Sequence, residues 1–150
     1  MQTNIEIVET QPVTLAVAEA MVRQSEIPVR IVELFDVVYT WLRSKKLTQS
    51  GGNFAVYRFC ETPGMKMQAG VPVSGPFASE DAVKCVQLPR MKAAHSKHTG
   101  PYDLLHDVHA RLNAWCEQQG LARGTLAWEA YGDWVQNPAE LVTDVYVELR

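Results

Sequence analysis

Residues 31–57 read IVELFDVVYTWLRSKKLTQSGGNFAVY, and residues 105–131 read LHDVHARLNAWCEQQGLARGTLAWEAY. Sliding the chain on itself by 74 positions superimposes the two stretches and places Trp41 on Trp115 and Tyr57 on Tyr131. In both, apolar residues recur at the spacing of an amphipathic helix, and a strand-like segment follows. The same register continues to Val147. An internal repeat of this kind predicts two copies of one folding module.

Each copy has the pattern strand, strand, helix, strand, strand. The predicted helices are 28–45 and 101–119, and the predicted strands are 5–8, 13–21, 54–59 and 65–73, then 83–88, 90–98, 126–131 and 143–149. Short turns and one apolar stripe per helix predict an α+β fold, in which an antiparallel sheet carries both helices on one side. We therefore expect a single domain, 1–150, built as a pseudo-twofold duplication with repeats at about 1–75 and 80–150. The first two strands of each copy are expected to form a hairpin.

The repeat breaks at one position, where Ala55 in the first copy corresponds to Glu129 in the second. Side chains alternate along a strand, so Trp128 shares a face with Ala130, and Glu129 shares the other with Tyr131. If the helix covers Trp128, then Glu129 and Tyr131 point away from it. The faces of the two copies that point away would then line a common cleft. The alternative is that Glu129 is an edge-strand carboxylate in solvent.

Three tyrosines are candidate walls of this cleft. Tyr57 and Tyr131 occupy equivalent positions in the repeat, which favours a shared role, although both can also be core residues with satisfied hydroxyls. Tyr146 is expected on the face opposite Val145 and Val147, as another wall or as a solvent-facing tyrosine. Aromatic rings beside a carboxylate attract lipophilic cations by charge pairing and by cation–π contact.

Composition excludes several classes of function. The net charge of −3 lacks the clustered Lys and Arg of a nucleic-acid-binding surface. The chain has three cysteines, and none of them stands in a CxxC motif. We therefore predict neither a disulfide framework nor a thiolate zinc site. Neither a signal peptide nor a membrane-spanning stretch is recognisable, so we expect a soluble, cytoplasmic protein with no membrane partner.

Standard catalytic and cofactor motifs are also missing. There is no phosphate-binding glycine loop, no HExxH and no serine triad order, so no cofactor is predicted. The histidines form two pairs, His95 with His98 and His106 with His109. The helical pair lacks an obvious acidic third ligand, so we predict solvated side chains and no metal site.

Several motifs occur in a familiar order along the chain. They are the HxGPY element at 98–102, Trp115 and Gly120, the WExY element at 128–131, and Thr143-Asp144-Val145-Tyr146. The sequence resembles the GyrI-like small-molecule-binding family, which includes effector-binding domains of multidrug-responsive transcription activators. The resemblance covers essentially the whole chain.

The resemblance implies two strand-helix-strand-strand modules packed around a hydrophobic pocket. It further implies that Glu129 meets the charge of lipophilic cations while surrounding aromatics stack on them. We therefore expect a stand-alone module that binds amphipathic, cationic aromatic compounds through Glu129, Tyr57, Tyr131, Tyr146 and Ala55. Two alternatives remain open: a hydrolase of reactive small molecules that uses Glu129 and a Tyr, and a ligand-responsive inhibitor or sensor of a partner protein.

Overall fold

The computed structural model describes residues 4–59, 64–80 and 82–150. Within these ranges the chain forms an α+β fold with antiparallel sheet pairing and two α-helices. The elements, in chain order, are β1 (Ile5–Glu9), β2 (Val13–Val22), α1 (Ile27–Lys45), β3 (Phe54–Phe59), β4 (Met65–Pro72), β5 (Lys84–Leu88), β6 (Lys92–Thr99), α2 (Leu105–Gln118), β7 (Arg123–Tyr131) and β8 (Val142–Leu149). The predicted helices and strands are thereby confirmed, with small shifts at their ends.

The described residues divide into two compact units. The terminal unit consists of residues 4–11 together with Arg90–Arg150, and the central unit lies within Pro12–Pro89. In the terminal unit the strand order is β1-β6-β8-β7, and α2 packs against β6 and β8. In the central unit the order is β3-β4-β2-β5, and α1 packs against β2 and β4. Each unit is therefore a four-stranded antiparallel sheet covered by one helix.

The apolar helix stripes form the cores of these units. The buried residues of α1 are Leu34, Val38, Trp41 and Leu42, and those of α2 are Leu105, Val108, Leu112 and Cys116. In the terminal unit the α2 stripe packs on Ala94, Ala127, Val145, Val147 and Leu149. Complete burial of one such aliphatic side chain stabilises the fold by about 1.5–3 kcal/mol.

The two helices end in the same way. Lys46 follows α1 with φ 55°, and Gly120 follows α2 with φ 68°. In each case the next residue donates its N–H back to the helix, from Leu47 to Leu42 and from Leu121 to Cys116. These left-handed closures satisfy carbonyls that the helix end leaves free. They also stand 74 positions apart, in agreement with the register of the sequence repeat.

The first strands do not pair as the sequence suggests. Instead of a hairpin with β2, β1 pairs with β6, while β5 pairs with β2. Thr10 ties the end of β1 to Met91, donating its backbone N–H to the Met91 carbonyl at 2.8 Å. Hence β1, the first strand of the first repeat, joins the sheet formed by the second repeat. Likewise β5, the first strand of the second repeat, joins the sheet formed by the first. A single domain with repeats at about 1–75 and 80–150 stays a prediction, because the compact units do not follow those boundaries.

The repeat register also shifts in the last strand. Ala55 pairs with Ala69, whereas Glu129 pairs with Val145 rather than with Thr143, the residue 74 positions beyond Ala69. The connection between β7 and β8 is longer than that between β3 and β4, which allows a different pairing. One constant register through Val147 is therefore wrong for β8.

Candidate functional site

Glu129 lies on the side of β7 that faces α2. Ala127 and Tyr131, two residues to either side of it, both pack into the core beneath α2. Since alternate strand residues share a face, Glu129 points into the same layer. The expectation that Glu129 and Tyr131 point away from the helix is wrong. Trp128 points away instead, because the face of β7 that packs against α2 is the one that carries Ala127, Glu129 and Tyr131.

The Glu129 carboxylate is buried and contacts His109 and Tyr131. The residue is 4% exposed. Its Oε2 lies 2.8 Å from Nε2 of His109, and its Oε1 accepts a hydrogen bond from the Tyr131 hydroxyl. An ionised carboxylate accepts hydrogen bonds at both oxygens, and His109 donates to it in the tautomer that carries a proton on Nε2. Burying an ionised carboxylate without such donors would cost more than the roughly 2–7 kcal/mol of a neutral polar group without a partner.

His109 is the residue that sequence reasoning missed. Its side chain is 19% exposed, so the predicted solvated face is wrong for this histidine. The missed signal is helical spacing, because His109 lies four residues after Leu105 and three before Leu112, both buried on the α2 stripe. That position sends the imidazole toward β7. His106, one turn earlier, is exposed as predicted.

Aromatic rings lead from the carboxylate toward the surface. Tyr102, in a short 3-10 helix before α2, contacts the Tyr131 ring edge-on, with centroids 5.4 Å apart. Tyr102 is 40% exposed. Tyr131 is less exposed, because part of its side chain packs against the core. Partial burial raises the pKa of the Tyr102 hydroxyl, which therefore stays neutral at physiological pH. The face of an aromatic ring attracts cations, so this pair provides a cation-compatible surface next to Glu129.

Tyr146 lies on the opposite face of the same sheet. It pairs across the strands with Trp128 and His95. Its ring stacks on Trp128 with centroids 5.0 Å apart, and it lies 4.8 Å from the His95 ring. Burial raises the pKa of Tyr146, and the nearby carboxylates of Asp144 and Glu6 raise it further. Tyr146 therefore does not share a wall with Glu129 and Tyr131, contrary to the prediction, because strand alternation sends it to the other side.

Ala55 and Tyr57 belong to the central unit. Ala55 is completely buried and Tyr57 is 6% exposed. They alternate onto one face of β3, opposite Ala69 and Met67 of β4 respectively. Their participation in a site with Glu129 stays a prediction.

The HxGPY element forms the turn between β6 and α2. His98 Nε2 lies 3.1 Å from the Pro101 carbonyl oxygen, and Gly100 donates its N–H to Leu141. Gly100 has φ 146°, and a Cβ there would lie 3.2 Å from His98 Nε2. This motif therefore positions the start of α2, and with it His109 and Tyr102, rather than supplying a charged ligand contact.

Metal-ligating clusters and membrane-spanning helices are absent from residues 4–59, 64–80 and 82–150. Among those residues, no group of three or more His, Cys, Asp or Glu side chains is arranged to hold a metal ion. No helix there is long and apolar enough to span a bilayer. Cys85 and Cys116 are free thiols, while Cys60 lies outside the described residues.

The sequence of the whole chain now identifies its family. A model of the GyrI-like small molecule binding domain matches residues 3–150. The chain belongs to the GyrI-like family. Among curated proteins, no sequence matches this GyrI-like chain.

Solved structures share the GyrI-like fold at low sequence identity. The EcmrR C-terminal domain is 19% identical, with a TM-score of 0.79 and coverage of 100% of this chain and 99% of that one. In the EcmrR–DNA complex (TM-score 0.79, 16% identity), 99% of this chain is covered, but it spans only 57% of the EcmrR chain. SAV2435 bound to tetraphenylphosphonium is 12% identical, with a TM-score of 0.72 and coverage of 100% and 94%. A hydrolase encoded by lin2189 from Listeria innocua is 13% identical, with a TM-score of 0.58 and coverage of 97% and 91%. Such likeness establishes the fold and leaves the activity to be argued from the site.

Proposed function

We propose that this GyrI-like chain binds amphipathic, cationic aromatic small molecules and that Glu129 is their charge partner. The observation that carries the proposal is the burial of Glu129, which is 4% exposed and lies beside the Tyr131 ring in the layer between β7 and α2. Family membership supports small-molecule binding, and the fold is shared with SAV2435, whose structure contains tetraphenylphosphonium. The chain would act as an effector-binding or sequestration module in the cytoplasm.

The chemistry of the cluster favours a cation over an anion. Removing a carboxylate from water is unfavourable, and a bound cation would offset part of that cost. The Tyr131 and Tyr102 rings add cation–π attraction and apolar contact area. A neutral aromatic of similar shape would gain the contact area but not the charge pairing. An anionic ligand would meet repulsion from Glu129.

Further ligand contacts are proposed for Ala55 and Tyr57. Ala55 stands 74 positions before Glu129, so it would present a methyl group where the second copy has a carboxylate. Tyr57 would supply a second aromatic wall, equivalent to Tyr131 in the repeat. Tyr146 is not part of this proposal, since it faces the other side of the sheet from Glu129.

Calorimetric titration with tetraphenylphosphonium tests the proposal. Glu129→Gln keeps the size of the side chain and removes its charge, so the dissociation constant should rise tenfold or more, equivalent to about 1.5–3 kcal/mol. Triphenylphosphine oxide, a neutral aromatic compound of related shape, should bind both proteins with similar affinity. Tyr131→Ala or Tyr57→Ala should weaken both ligands, because loss of ring area does not depend on charge.

Glu148→Gln is the matched control. Glu148 lies in the same unit, on the other face of β8, where its Oε1 accepts hydrogen bonds from the Thr125 and Leu126 N–H groups. The substitution removes the same charge and retains a side-chain oxygen as acceptor, so cation affinity should stay at the wild-type level. Equal affinity of tetraphenylphosphonium for wild type and Glu129→Gln would remove Glu129 from the site.

A hydrolytic activity is the second candidate. It is favoured by the contacts of Glu129 with a tyrosine hydroxyl and an imidazole, since a carboxylate with such neighbours can accept a proton from water. The shared fold with a Listeria innocua hydrolase is consistent with this candidate. The test is turnover of an aromatic ester panel without added metal. Turnover that Glu129→Gln abolishes would support catalysis, whereas binding without turnover would support the effector-binding function.

A further inference from the structure

A cationic ligand that pairs with Glu129 would have to share its carboxylate with His109. Its Nε2 lies 2.8 Å from Glu129 Oε2, while the Tyr131 hydroxyl contacts the other oxygen. A phenol hydroxyl carries no positive charge in either protonation state, whereas an imidazole gains a positive charge when it binds a second proton. Between His109 and Tyr131, His109 is therefore the one that can compete with a cation.

We infer that His109 is a specificity-determining residue that couples cation binding to pH. This inference rests on the proposed function. Neutral His109 does not offset the negative charge of Glu129, which attracts a cation. With protonated His109, the imidazolium neutralises Glu129 and repels the ligand. Cation affinity should therefore be high at alkaline pH and fall as the solution becomes acidic.

The surroundings leave His109 as the group best placed to exert this effect. Ionisable side chains on the α2 side of this sheet include Glu9 on β1, Lys92 and His98 on β6, and Arg123, Glu129 and Tyr131 on β7, while Tyr102 and Asp103 lie in the 3-10 helix before α2. His98 is engaged with the Pro101 carbonyl. On β8 the facing side chains, Thr143, Val145 and Val147, do not titrate. On α2 itself, His106, Asp107 and Arg111 are exposed.

Thermodynamic linkage makes the coupling measurable in two ways. If protonated His109 excludes the cation, then bound cation must disfavour protonation of His109 by the same free energy. Binding in mildly acidic solution should therefore release protons. The number released follows from calorimetry in buffers that differ in ionisation enthalpy. A histidine that served only to pack α2 on β7 would give no such release.

The first experiment measures tetraphenylphosphonium affinity from pH 5.5 to 8.5, the range in which imidazole groups generally change charge. Wild-type affinity should fall about tenfold from the alkaline to the acidic end, the size expected for loss of one close charge pair. His109→Gln keeps a neutral N–H donor near Glu129 and cannot gain a charge, so its affinity should be nearly constant. His106→Gln, an exposed position on the same helix, should retain the wild-type profile.

The second experiment measures proton release at pH 6. Wild type and His106→Gln should release a fraction of a proton on binding tetraphenylphosphonium, and His109→Gln should release essentially none. A pH profile or proton release unchanged in His109→Gln would assign the titration to another group and overturn the inference.

The two proposals fail in different ways. If Glu129→Gln weakens the cation while wild-type affinity is independent of pH, the proposed function stands and the role of His109 is excluded. If wild type fails to bind tetraphenylphosphonium at any pH, or if Glu129→Gln binds it equally well, both are overturned. Triphenylphosphine oxide, which carries no charge, should show no pH dependence with any of the variants.

Discussion

At the scale of single residues, Glu129 and Ala55 show how one substitution within a repeat changes the demands on its surroundings. The buried methyl group of Ala55 needs no partner, whereas a buried carboxylate is stable only when donors satisfy it. His109 and Tyr131 supply those donors. These contacts follow from the one carboxylate, so the effects of substitutions at Glu129, His109 and Tyr131 should not be additive.

Gly100 is a second residue whose identity follows from local geometry. Its φ of 146° is unfavourable for residues with a side chain, and an added Cβ would press on the His98 ring at 3.2 Å. Gly100→Ala should therefore lower the free energy of unfolding by about 1–3 kcal/mol. Urea denaturation followed by circular dichroism measures this change.

Gly75→Ala is the control for that substitution. A Cβ at Gly75 meets no atom within 4 Å, and the residue does not have a positive φ. Its stability should stay within about 0.5 kcal/mol of wild type. If Gly100→Ala is as stable as Gly75→Ala, then the HxGPY turn tolerates a side chain and the strain argument is wrong.

At the scale of elements, the strands of the central unit are joined by a charged network around Glu19 on β2. Glu19 contacts Lys66 on β4 and Lys84 on β5, and Gln68 donates to its Oε1. Partial burial alone would raise the pKa of the Glu19 carboxyl. The hydrogen bonds from Gln68 and Lys84 and the charges of the two lysines outweigh burial, so the pKa lies below its ordinary value.

The sign of this shift predicts how stability depends on pH. A depressed folded-state pKa means that Glu19 stabilises the fold above the ordinary pKa of 4.5, and that this contribution disappears as pH falls through the folded-state pKa. Glu19→Gln should therefore be less stable than wild type by about 1–2 kcal/mol at pH 7. The difference should shrink in acid. Denaturant titrations at pH 7 and pH 3 measure it.

Glu33→Gln provides the comparison for an exposed ion pair. Glu33 pairs with Arg30 on α1, and its side chain is 54% exposed. Solvent screens such a pair, so the substitution should change stability little at either pH. A Glu19→Gln penalty that is equally large at pH 3 and pH 7 would show that packing, rather than charge, is lost at that position.

At the scale of the whole molecule, the charge distribution predicts weak binding to nucleic acid. The chain has 14 Lys and Arg against 17 Asp and Glu. Sequence-specific DNA binding uses several cationic phosphate contacts and an element placed in a groove. We therefore expect only weak, nonspecific association with duplex DNA at physiological salt, as measured by fluorescence anisotropy. Submicromolar, sequence-dependent binding by this chain would contradict the prediction.

The pairing of the first strands illustrates why topology is hard to obtain from sequence. The apolar patterns identify β1, β2, β5 and β6 as strands, but a strand pattern does not specify its neighbour. Pairing depends on hydrogen bonds between distant residues, such as those between Thr10 and Met91. The short prolyl links before β2 and β6 suggested two local hairpins, and the completed sheets use the more distant partners instead.

Some features of the fold and of the candidate site likewise follow from the sequence, and others only from the tertiary structure. Helical periodicity, the order of helices and strands and the α+β class follow from the sequence, because they depend on residues close together in the chain. The face on which Glu129 lies, its contact with His109 and the separation of Tyr146 from it were decided by the tertiary structure. These depend on the phase in which β7 meets α2, and a shift of one residue in that phase moves every side chain of the strand to the opposite face of the sheet.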